Sequence, residues 1–319
     1  FGSSPFGATQ GAAGVLFDTR PHTAMWVTRL RLAAPASAAF AALASHDAQR
    51  QLARCEQTSL DKSEFRSFPL LEVRAVNHDT KVLRCKLPSD QHVLGMSVSS
   101  LVMVGGEKGE DGKAPARPYT PITTNEQKGY FDLLVKGYPK GVVSKYLCSL
   151  KPGDSVEIKG PFPKLPYKAN MKKHIGMIAG GSGITPMIQV IKEILNNPND
   201  KTQMALVFAN QTPADILLRS ELDDMAAKSK GQLTVNYVVD RNDTSDPKIR
   251  HVGYVTSNLV HSTMPPPSSD ALVYVCGPPA MLTAVAGPKK IEKGKPPAQG
   301  EVGGVLKEVG YTEDMVYKF

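Results

Sequence analysis

The chain of 319 residues has few of the residues that build metal centres and disulfide frameworks. Its four cysteines are Cys55, Cys85, Cys148 and Cys276, and no two of them form a C-x-x-C pair. Its seven histidines show no H-E-x-x-H motif or comparable ligand spacing. These absences predict that the protein holds no metal ion and no disulfide framework, and they are typical of a reducing compartment.

Long hydrophobic runs are also scarce. The apolar stretch 32–44 (LAAPASAAFAALA) has 13 residues, which is too short for a helix that spans a bilayer. Basic residues exceed acidic ones, and the formal net charge is +8. They are dispersed and lack helix-turn-helix, zinc-finger or RNP signatures, so nucleic acid is not an expected partner. This charge is typical both of a mildly basic enzyme and of a protein that meets an acidic partner or an anionic surface.

Residues 1–60 differ in composition from the rest of the chain. They are rich in Ala, Ser and Arg, contain no Lys, and include only three acidic residues, Asp18, Asp47 and Glu56. An Arg-rich segment with few acids resembles a mitochondrial targeting segment. The same composition is compatible with an interfacial anchor, an arm that docks on another subunit, or an unstructured extension. We therefore treat residues 1–60 as a separate N-terminal extension.

The remaining length is enough for two domains, each with its own core. Residues 61–160 consist of short β-type runs separated by Gly, Asp and Pro, which predicts a small antiparallel barrel. Residues 161–173 are basic and Pro-rich, which is typical of a linker. The predicted strands are 68–76, 82–87, 100–104, 130–138 and 155–159, with one helix over 142–150.

Residues 174–319 alternate between strand-like and helix-like segments. This alternation predicts a parallel sheet with helices on both faces. The predicted strands are 175–179, 205–208, 234–239, 272–275 and 315–319, and the predicted helices are 186–195, 217–227, 257–262, 280–286 and a short one near 303–309.

The segment 117–121 reads Arg-Pro-Tyr-Thr-Pro. A flavin dinucleotide needs a cation for its pyrophosphate, and Arg117 can donate two hydrogen bonds to phosphate. Pro118 and Pro121 restrict the backbone, which holds Tyr119 and Thr120 in defined directions, on opposite sides of a strand. The pattern therefore favours a flavin site, although a proline-flanked turn at a strand end has the same composition.

A second segment, Gly141-Val142-Val143-Ser144, is predicted to begin a helix. Free backbone amides at a helix N-terminus bind anions, and the Ser144 hydroxyl can add a further donor. An equally good interpretation is that Ser144 only caps the helix backbone.

A glycine turn at 180–186 (GGSGITP) follows an apolar strand and opens a helix. Such a turn lets the backbone approach a pyrophosphate. It lacks the full G-x-G-x-x-G spacing, and it is no G-x-S-x-G nucleophile elbow because Ile184 stands where the last glycine is needed. The turn predicts a dinucleotide site only in combination with other motifs.

Two further residues follow predicted strands at the edge where open parallel sheets bind ligands. Asp240 can accept hydrogen bonds from ribose hydroxyls and repel a 2′-phosphate, although Arg241 beside it weakens this choice and Asp240 could instead cap its own loop. Cys276, followed by Gly277 and Pro278, could abut a nicotinamide, or it could be a small core residue.

Together these motifs resemble the NADH–cytochrome b5 reductases of the ferredoxin–NADP reductase superfamily. The resemblance extends over about residues 62–319 and is strongest for the mitochondrial fungal-type branch. It is carried by RPYTPIT (117–123), GYFDLLVKGYPKGVVSKYL (129–147), GPFPKLPY (160–167), IAGGSGITPM (178–187), LVFANQTPADILLRSEL (206–222), CGPPAM (276–281) and the tail 300–319.

The resemblance implies an FAD-binding barrel over 61–160 and a Rossmann-like NADH domain over 174–319. It implies hydride transfer from NADH to FAD and then transfer of single electrons to an acidic haem protein such as cytochrome b5. Thr120 and Cys276 are then expected at the reacting atoms. Arg117, Pro118, Tyr119, Thr120, Lys136, Tyr138, Gly141, Val142, Val143 and Ser144 are expected to bind FAD, and Gly180, Gly181, Ser182, Gly183, Thr185, Asp240, Cys276, Gly277, Pro278 and Phe319 to face NADH or its nicotinamide.

Partners and location follow less directly. Basic residues of the linker, Lys164, Lys168, Lys172 and Lys173, could steer an acidic acceptor, or they could simply be solvated. With residues 1–60, the resemblance predicts a mitochondrial, membrane-associated protein of the outer membrane or intermembrane space. An alternative is a reductase-fold structural subunit of a mitochondrial membrane complex that docks through residues 1–60.

Overall fold

A computed structural model describes residues 58–109, 112, 114–244, 246–292 and 297–319. The interpretations of residues 1–57 as a targeting, anchoring or docking segment fall outside the described residues. The last three residues of the predicted extension do not belong to it. Thr58 forms a bridge with Val93, and Ser59 and Leu60 are buried, with Leu60 in the core of the first sheet. The first domain therefore begins before residue 61.

The first six strands form an antiparallel, barrel-like sheet in the order β4-β3-β6-β1-β2-β5. Its core includes an edge-to-face pair of Phe68 and Phe131, with ring centroids 5.3 Å apart. The elements are β1 (Arg66–Ala75), β2 (Thr80–Lys86), β3 (Ser100–Gly105), β4 (Ala116–Tyr119), β5 (Tyr130–Lys136), helix α1 (Val142–Ser149) and β6 (Ser155–Pro163).

The register of this sheet determines which side chains reach its open end. In the β3–β4 pair Val104 lies opposite Arg117 and Val102 opposite Tyr119. In the β2–β5 pair Thr80 lies opposite Lys136, so the turn before β2 stands beside the end of β5. These pairings place Arg117 and Lys136 on separate strands of one sheet.

The second sheet is parallel, in the order β10-β9-β8-β7-β11-β12. Helices cover it on both faces, and two apolar clusters fill the spaces between helices and sheet. Its strands are β7 (His174–Gly180), β8 (Gln203–Asn210), β9 (Leu233–Val239), β10 (His251–Val252), β11 (Ala271–Cys276) and β12 (Val316–Lys318), and its helices are α2 (Ile184–Asn196), α3 (Arg219–Lys228), α4 (Ser257–Thr263), α5 (Pro279–Ala286) and α6 (Gly304–Val309).

The predicted fold class, an antiparallel barrel followed by a parallel α/β domain, is confirmed. Three local boundaries differ from the predictions. β6 continues through Pro163, because residues 162–163 pair with β3, so the predicted linker 161–173 begins inside a strand. β5 ends at Lys136, before Gly137 and Tyr138. β10 has two residues and no apolar run to signal it.

Candidate active site

Two adjoining cavities lie where the parallel strands end and face the first domain. The barrel cavity, of about 610 Å³, is bounded by β4, the end of β5 and the start of α1 on one side and by the glycine turn and residues 276–279 on the other. The sheet cavity, of about 550 Å³, lies over the ends of β8 and β9. Lys136, Tyr138 and Pro278 line both cavities.

Every residue predicted for the cofactor sites lines one of these cavities. Gly180, Gly181 and Asp240 line the sheet cavity, while Arg117, Pro118, Tyr119, Thr120, Gly141, Val142, Val143, Ser144, Ser182, Gly183, Thr185, Cys276, Gly277 and Phe319 line the barrel cavity.

The end of β4 forms one wall of the barrel cavity. Arg117 is exposed, and one of its guanidinium nitrogens donates to the Ala116 carbonyl at 2.9 Å, which leaves most of its donors available. Tyr119 is partly buried, and burial raises its pKa to about 12. Its phenol is therefore neutral at physiological pH. This wall combines a cation, a neutral aromatic ring and the partly exposed hydroxyl of Thr120.

Helix α1 begins at the rim of the barrel cavity. Its N-cap residue, Gly141, supplies no side-chain cap, so the first amides of the helix are left to other acceptors. The Ser144 hydroxyl accepts from the Tyr138 amide at 3.2 Å and donates to the Gly141 carbonyl at 3.3 Å. A Cβ on Gly141 would lie 2.2 Å from that hydroxyl. Ser144 thus organises the loop before the helix, and the uncapped backbone amides at the start of α1 remain available for an anion.

The glycine turn divides between the cavities. Gly180 and Gly181 face the sheet cavity, whereas Ser182, Gly183 and Thr185 face the barrel cavity. The assignment of all five residues to the NADH side stays a prediction. The five residues divide in this way because the turn crosses the junction of the two cavities. There Gly183 packs closely on β11, and a Cβ at this position would lie 2.1 Å from the Cys276 carbonyl oxygen.

The ends of β11 and β12 form the floor of the barrel cavity. Burial raises the pKa of the Cys276 thiol to about 11, although the nearby Lys289 ammonium opposes this shift. Cys276 is therefore a neutral thiol at physiological pH. Phe319 donates its backbone N–H to the Val275 carbonyl at 2.9 Å, and its ring packs edge-on against Tyr274 at 5.5 Å. Both cavity-facing groups are thus held by the parallel sheet.

Sequence reasoning missed three residues that border the cavities. Asn210 is the last residue of β8 and is buried. Neither its side-chain Oδ1 nor its Nδ2 has a hydrogen-bond partner among the described residues. Tyr254, beside the sheet cavity, is 82% exposed. Ser99, on the barrel cavity, is buried with an unpartnered hydroxyl in the described part of the chain. Asn210 could have been found from its place at a strand end like that of Asp240.

These features test whether two dinucleotides fit. Buried polar groups in native proteins nearly always have partners. Of the six described residues whose buried side-chain atoms lack a partner, two, Ser99 and Asn210, border the cavities. The uncapped start of α1 and the cation of Arg117 suit phosphate groups in the barrel cavity. The exposed carboxylate of Asp240 suits ribose hydroxyls in the sheet cavity. The residues present therefore fit FAD in the barrel cavity and NADH in the sheet cavity.

The four predicted steering lysines are not equivalent. Lys172 donates to the Ser269 carbonyl at 2.5 Å, and Lys173 pairs with Asp270 at 2.6 Å. Lys164 is exposed at the barrel cavity and has no carboxylate partner among the described residues. Lys140, which was not predicted, is exposed at the same rim. Lys168 is exposed but lies outside the lining of both cavities.

Comparison with known proteins matches two domain families. The oxidoreductase FAD-binding domain matches residues 67–167, and the oxidoreductase NAD-binding domain matches residues 177–287. The cytochrome b5 reductase domain of Ulva prolifera nitrate reductase has a TM-score of 0.71 at 31% identity over 82% of this chain and all of that one.

Two relatives of higher sequence identity give the same result. The NADH-cytochrome b5 reductase-like protein of Arabidopsis thaliana is 46% identical over 270 residues, which are 82% of this chain and 79% of that protein. NADH-cytochrome b5 reductase 2 of Neurospora crassa is 44% identical over 256 residues, 79% of this chain and 72% of its own.

Proposed function

This chain belongs to the NADH–cytochrome b5 reductase family, and from that premise we propose that it carries electrons from NADH through FAD to a cytochrome b5-like haem protein. The observation that carries the proposal is the shared wall of Lys136, Tyr138 and Pro278, which joins the barrel cavity to the sheet cavity. A nucleotide along the sheet cavity can thereby reach a flavin in the barrel cavity. The names of the relatives favour an enzyme over the structural-subunit alternative.

A bound FAD would supply the hydride acceptor for the nicotinamide of NADH and the one-electron donor for the haem protein. The chain's own residues bind, orient and enclose these groups. Arg117 and the first amides of α1 hold phosphates, and Tyr119 supplies a neutral ring. Thr120 presents a hydroxyl at the cavity, where it can donate a hydrogen bond without carrying charge.

Cys276 lines the barrel cavity two residues before Pro278, which lines both cavities. Its pKa of about 11 keeps the thiol protonated, so its role is contact and orientation and not attack as a thiolate. Phe319 closes the same side of the barrel cavity with an apolar ring. Close positioning of donor and acceptor supplies a large part of the rate in such transfers.

The sheet cavity selects the nucleotide. Asp240, which lines this cavity, accepts hydrogen bonds from the adenosine ribose hydroxyls and repels a 2′-phosphate, and this favours NADH. The Tyr254 ring offers a flat apolar surface beside it, and Asn210 offers both a donor and an acceptor.

The acidic haem protein is proposed to approach the rim of the barrel cavity. Lys140 and Lys164 stand there as exposed cations, and complementary charge raises association rates. For location we propose association with a mitochondrial membrane, outer membrane or intermembrane space, on the composition of residues 1–60. Within the part of the chain that the structure describes, no helix is long and apolar enough to cross a membrane.

An anaerobic absorbance spectrum of the purified protein, before and after one equivalent of NADH, tests the central proposal. We expect a flavin spectrum that bleaches with NADH and far more slowly with NADPH. A protein that neither carries nor can be reconstituted with FAD would overturn it. A flavin that NADPH bleaches as fast as NADH would overturn the role of Asp240 alone.

A further inference from the structure

The tight turn between β1 and β2 holds an acidic residue against the end of β5. Asp79 accepts a hydrogen bond from the Lys136 ammonium at 2.5 Å and one from the Thr80 hydroxyl at 2.8 Å. Its backbone carbonyl accepts from the Gly137 amide at 2.7 Å. Since Gly137 directly follows Lys136, the turn is fastened to both the backbone and the side chain at the end of β5.

Contacts other than the one with Lys136 orient the Asp79 carboxylate. Thr80 is buried and lies opposite Lys136 in the register, and its hydroxyl fixes one oxygen of Asp79. The Asp79 amide donates to Asn77 at 3.2 Å, which fixes the turn itself. The second oxygen is then available to Lys136. The Asp79 carboxylate is therefore the fixed partner of the pair, and the Lys136 side chain is the flexible one.

Lys136 is one of the three residues that line both cavities. A lysine ammonium has three donors, and one of them is used by Asp79, so two remain for a ligand. The four-carbon stem of a free lysine samples many rotamers, and ordering it costs free energy. A partner that holds the ammonium at the cavity junction removes part of that cost from nucleotide binding.

We propose that Asp79 is a positioning residue for NADH: it holds the Lys136 ammonium at the cavity junction, where that ammonium meets the anionic or ribosyl part of the nucleotide next to the nicotinamide. The inference rests on the proposed function, because it needs NADH in the sheet cavity. Asp79 itself lines neither cavity. It therefore acts through Lys136 and not by touching the nucleotide.

Two other titratable groups face this pair. His78 Nε2 lies 3.5 Å from the Asp79 carboxylate, and His78 Nδ1 lies 3.7 Å from Asp215 of the second domain. The His78 side chain is 70% exposed, and ion pairs at such positions contribute little. The contact with Lys136 is shorter, and both of its partners are partly buried, with 20% and 24% exposure. Lys136 is therefore the partner through which Asp79 acts.

The test is a double-mutant cycle in the FAD-loaded protein: Asp79→Asn, Lys136→Gln and the double variant. Asparagine keeps the shape and the acceptor for Thr80, but it places a neutral amide against the ammonium. Stopped-flow flavin reduction at several NADH concentrations separates the dissociation constant from the limiting rate. We expect Asp79→Asn to weaken NADH binding roughly tenfold, the scale of one hydrogen bond between charged groups, with the limiting rate changed much less.

In the Lys136→Gln background the Asp79→Asn change should have no further effect on NADH binding, because its target is gone. Asp79→Glu, which restores the charge, should recover part of the affinity. The matched control is Asp61→Asn, because Asp61 is another acid of the same domain that accepts from a cation, Arg66 at 3.1 Å, and from a hydroxyl, Ser63 at 2.6 Å, away from both cavities. Its NADH affinity should equal that of the wild type.

Three results would overturn the inference: unchanged or tighter NADH binding in Asp79→Asn, equal effects of Asp79→Asn with and without Lys136, or loss of FAD and thermal stability in place of NADH affinity. Failure of the proposed function is a separate result, since it appears in the wild type as a flavin that NADH does not reduce. The wild-type measurement therefore comes first in the same experiment.

Discussion

In the parallel sheet β7 is buried along nearly its whole length, whereas in the antiparallel sheet β4, which carries Arg117, has no fully buried residue. The parallel sheet contributes to the site with residues at strand ends, such as Asn210, Asp240 and Cys276. The antiparallel sheet contributes side chains whose position depends on strand register. The first kind of site is rigid because the strands behind it are in the core. The second kind needs local contacts to orient its groups.

This difference predicts unequal sensitivity to backbone and side-chain changes. A change at the packed turn of the second domain should damage the fold itself. A change at a barrel residue should damage one ligand contact and leave the domain intact. The predictions that follow test this contrast, beginning with the largest expected effect.

Gly183→Ala should have the largest effect. Its Cβ would lie 2.1 Å from the Cys276 carbonyl oxygen, which is backbone and cannot swing away. We expect a loss of stability of about 3 kcal/mol or more, the scale of severe core clashes, together with loss of NADH-driven flavin reduction. Chemical denaturation with circular dichroism measures the first quantity, and anaerobic titration measures the second.

The control for that change is Gly231→Ala. Gly231 has φ +92°, and a Cβ added there would meet no other atom within 4 Å, so alanine at this position meets only backbone strain of about 1–2 kcal/mol. If both variants were equally stable, close packing of the turn against β11 would not be what requires a glycine at position 183.

Arg117→Ala should lower FAD affinity about 100-fold, because two charge-assisted hydrogen bonds to phosphate are lost. The barrel should remain folded, since Arg117 is exposed and packs in no core cluster. Flavin content after gel filtration measures the affinity loss, and far-ultraviolet circular dichroism checks the fold. Arg74→Ala, on an exposed part of β1, should keep its flavin. Retention of FAD by the Arg117 variant would show that residues other than Arg117 bind the FAD phosphates.

Asp240→Ser should raise the use of NADPH relative to NADH roughly tenfold, because the carboxylate no longer repels a 2′-phosphate. The ratio of the two kcat/KM values measures the change. Asp243→Ser, in the same loop but outside both cavities, serves as the control. An unchanged ratio in the Asp240 variant would mean that other residues near the ribose, such as Arg241, decide the preference.

The same contrast explains how much could be predicted from the sequence. Strand-end residues of the parallel sheet follow an apolar run, so Asp240 and Cys276 could be picked out by position. Asp79 could not, because its contact with Lys136 depends on the register that sets Thr80 opposite Lys136, and 57 residues of chain separate the two. Ser99 was missed for a different reason. Its backbone has a φ of +60°, and the sequence around it gives no sign of this conformation.

Residues were also misjudged where contacts with other elements decide their role. Lys172 and Lys173 resemble Lys164 in the sequence, but Ser269 and Asp270 engage the first two. The local sequence pattern of residues 161–173 does not indicate that two of these lysines contact residues about a hundred positions further along the chain. Periodicity thus reveals the elements, whereas pairing between distant elements decides which charges remain available.

The smallest expected effect concerns the haem-protein acceptor. Lys164→Ala and Lys140→Ala should each slow reduction of cytochrome b5 about two- to threefold at low ionic strength, since exposed charges act mainly on the association rate. Raising the salt concentration should bring wild type and variants together. Lys173→Ala should change the rate less, because Asp270 already compensates that charge. An equal effect of all three variants, or a rate independent of salt, would mean that the acceptor approaches elsewhere than the rim of the barrel cavity.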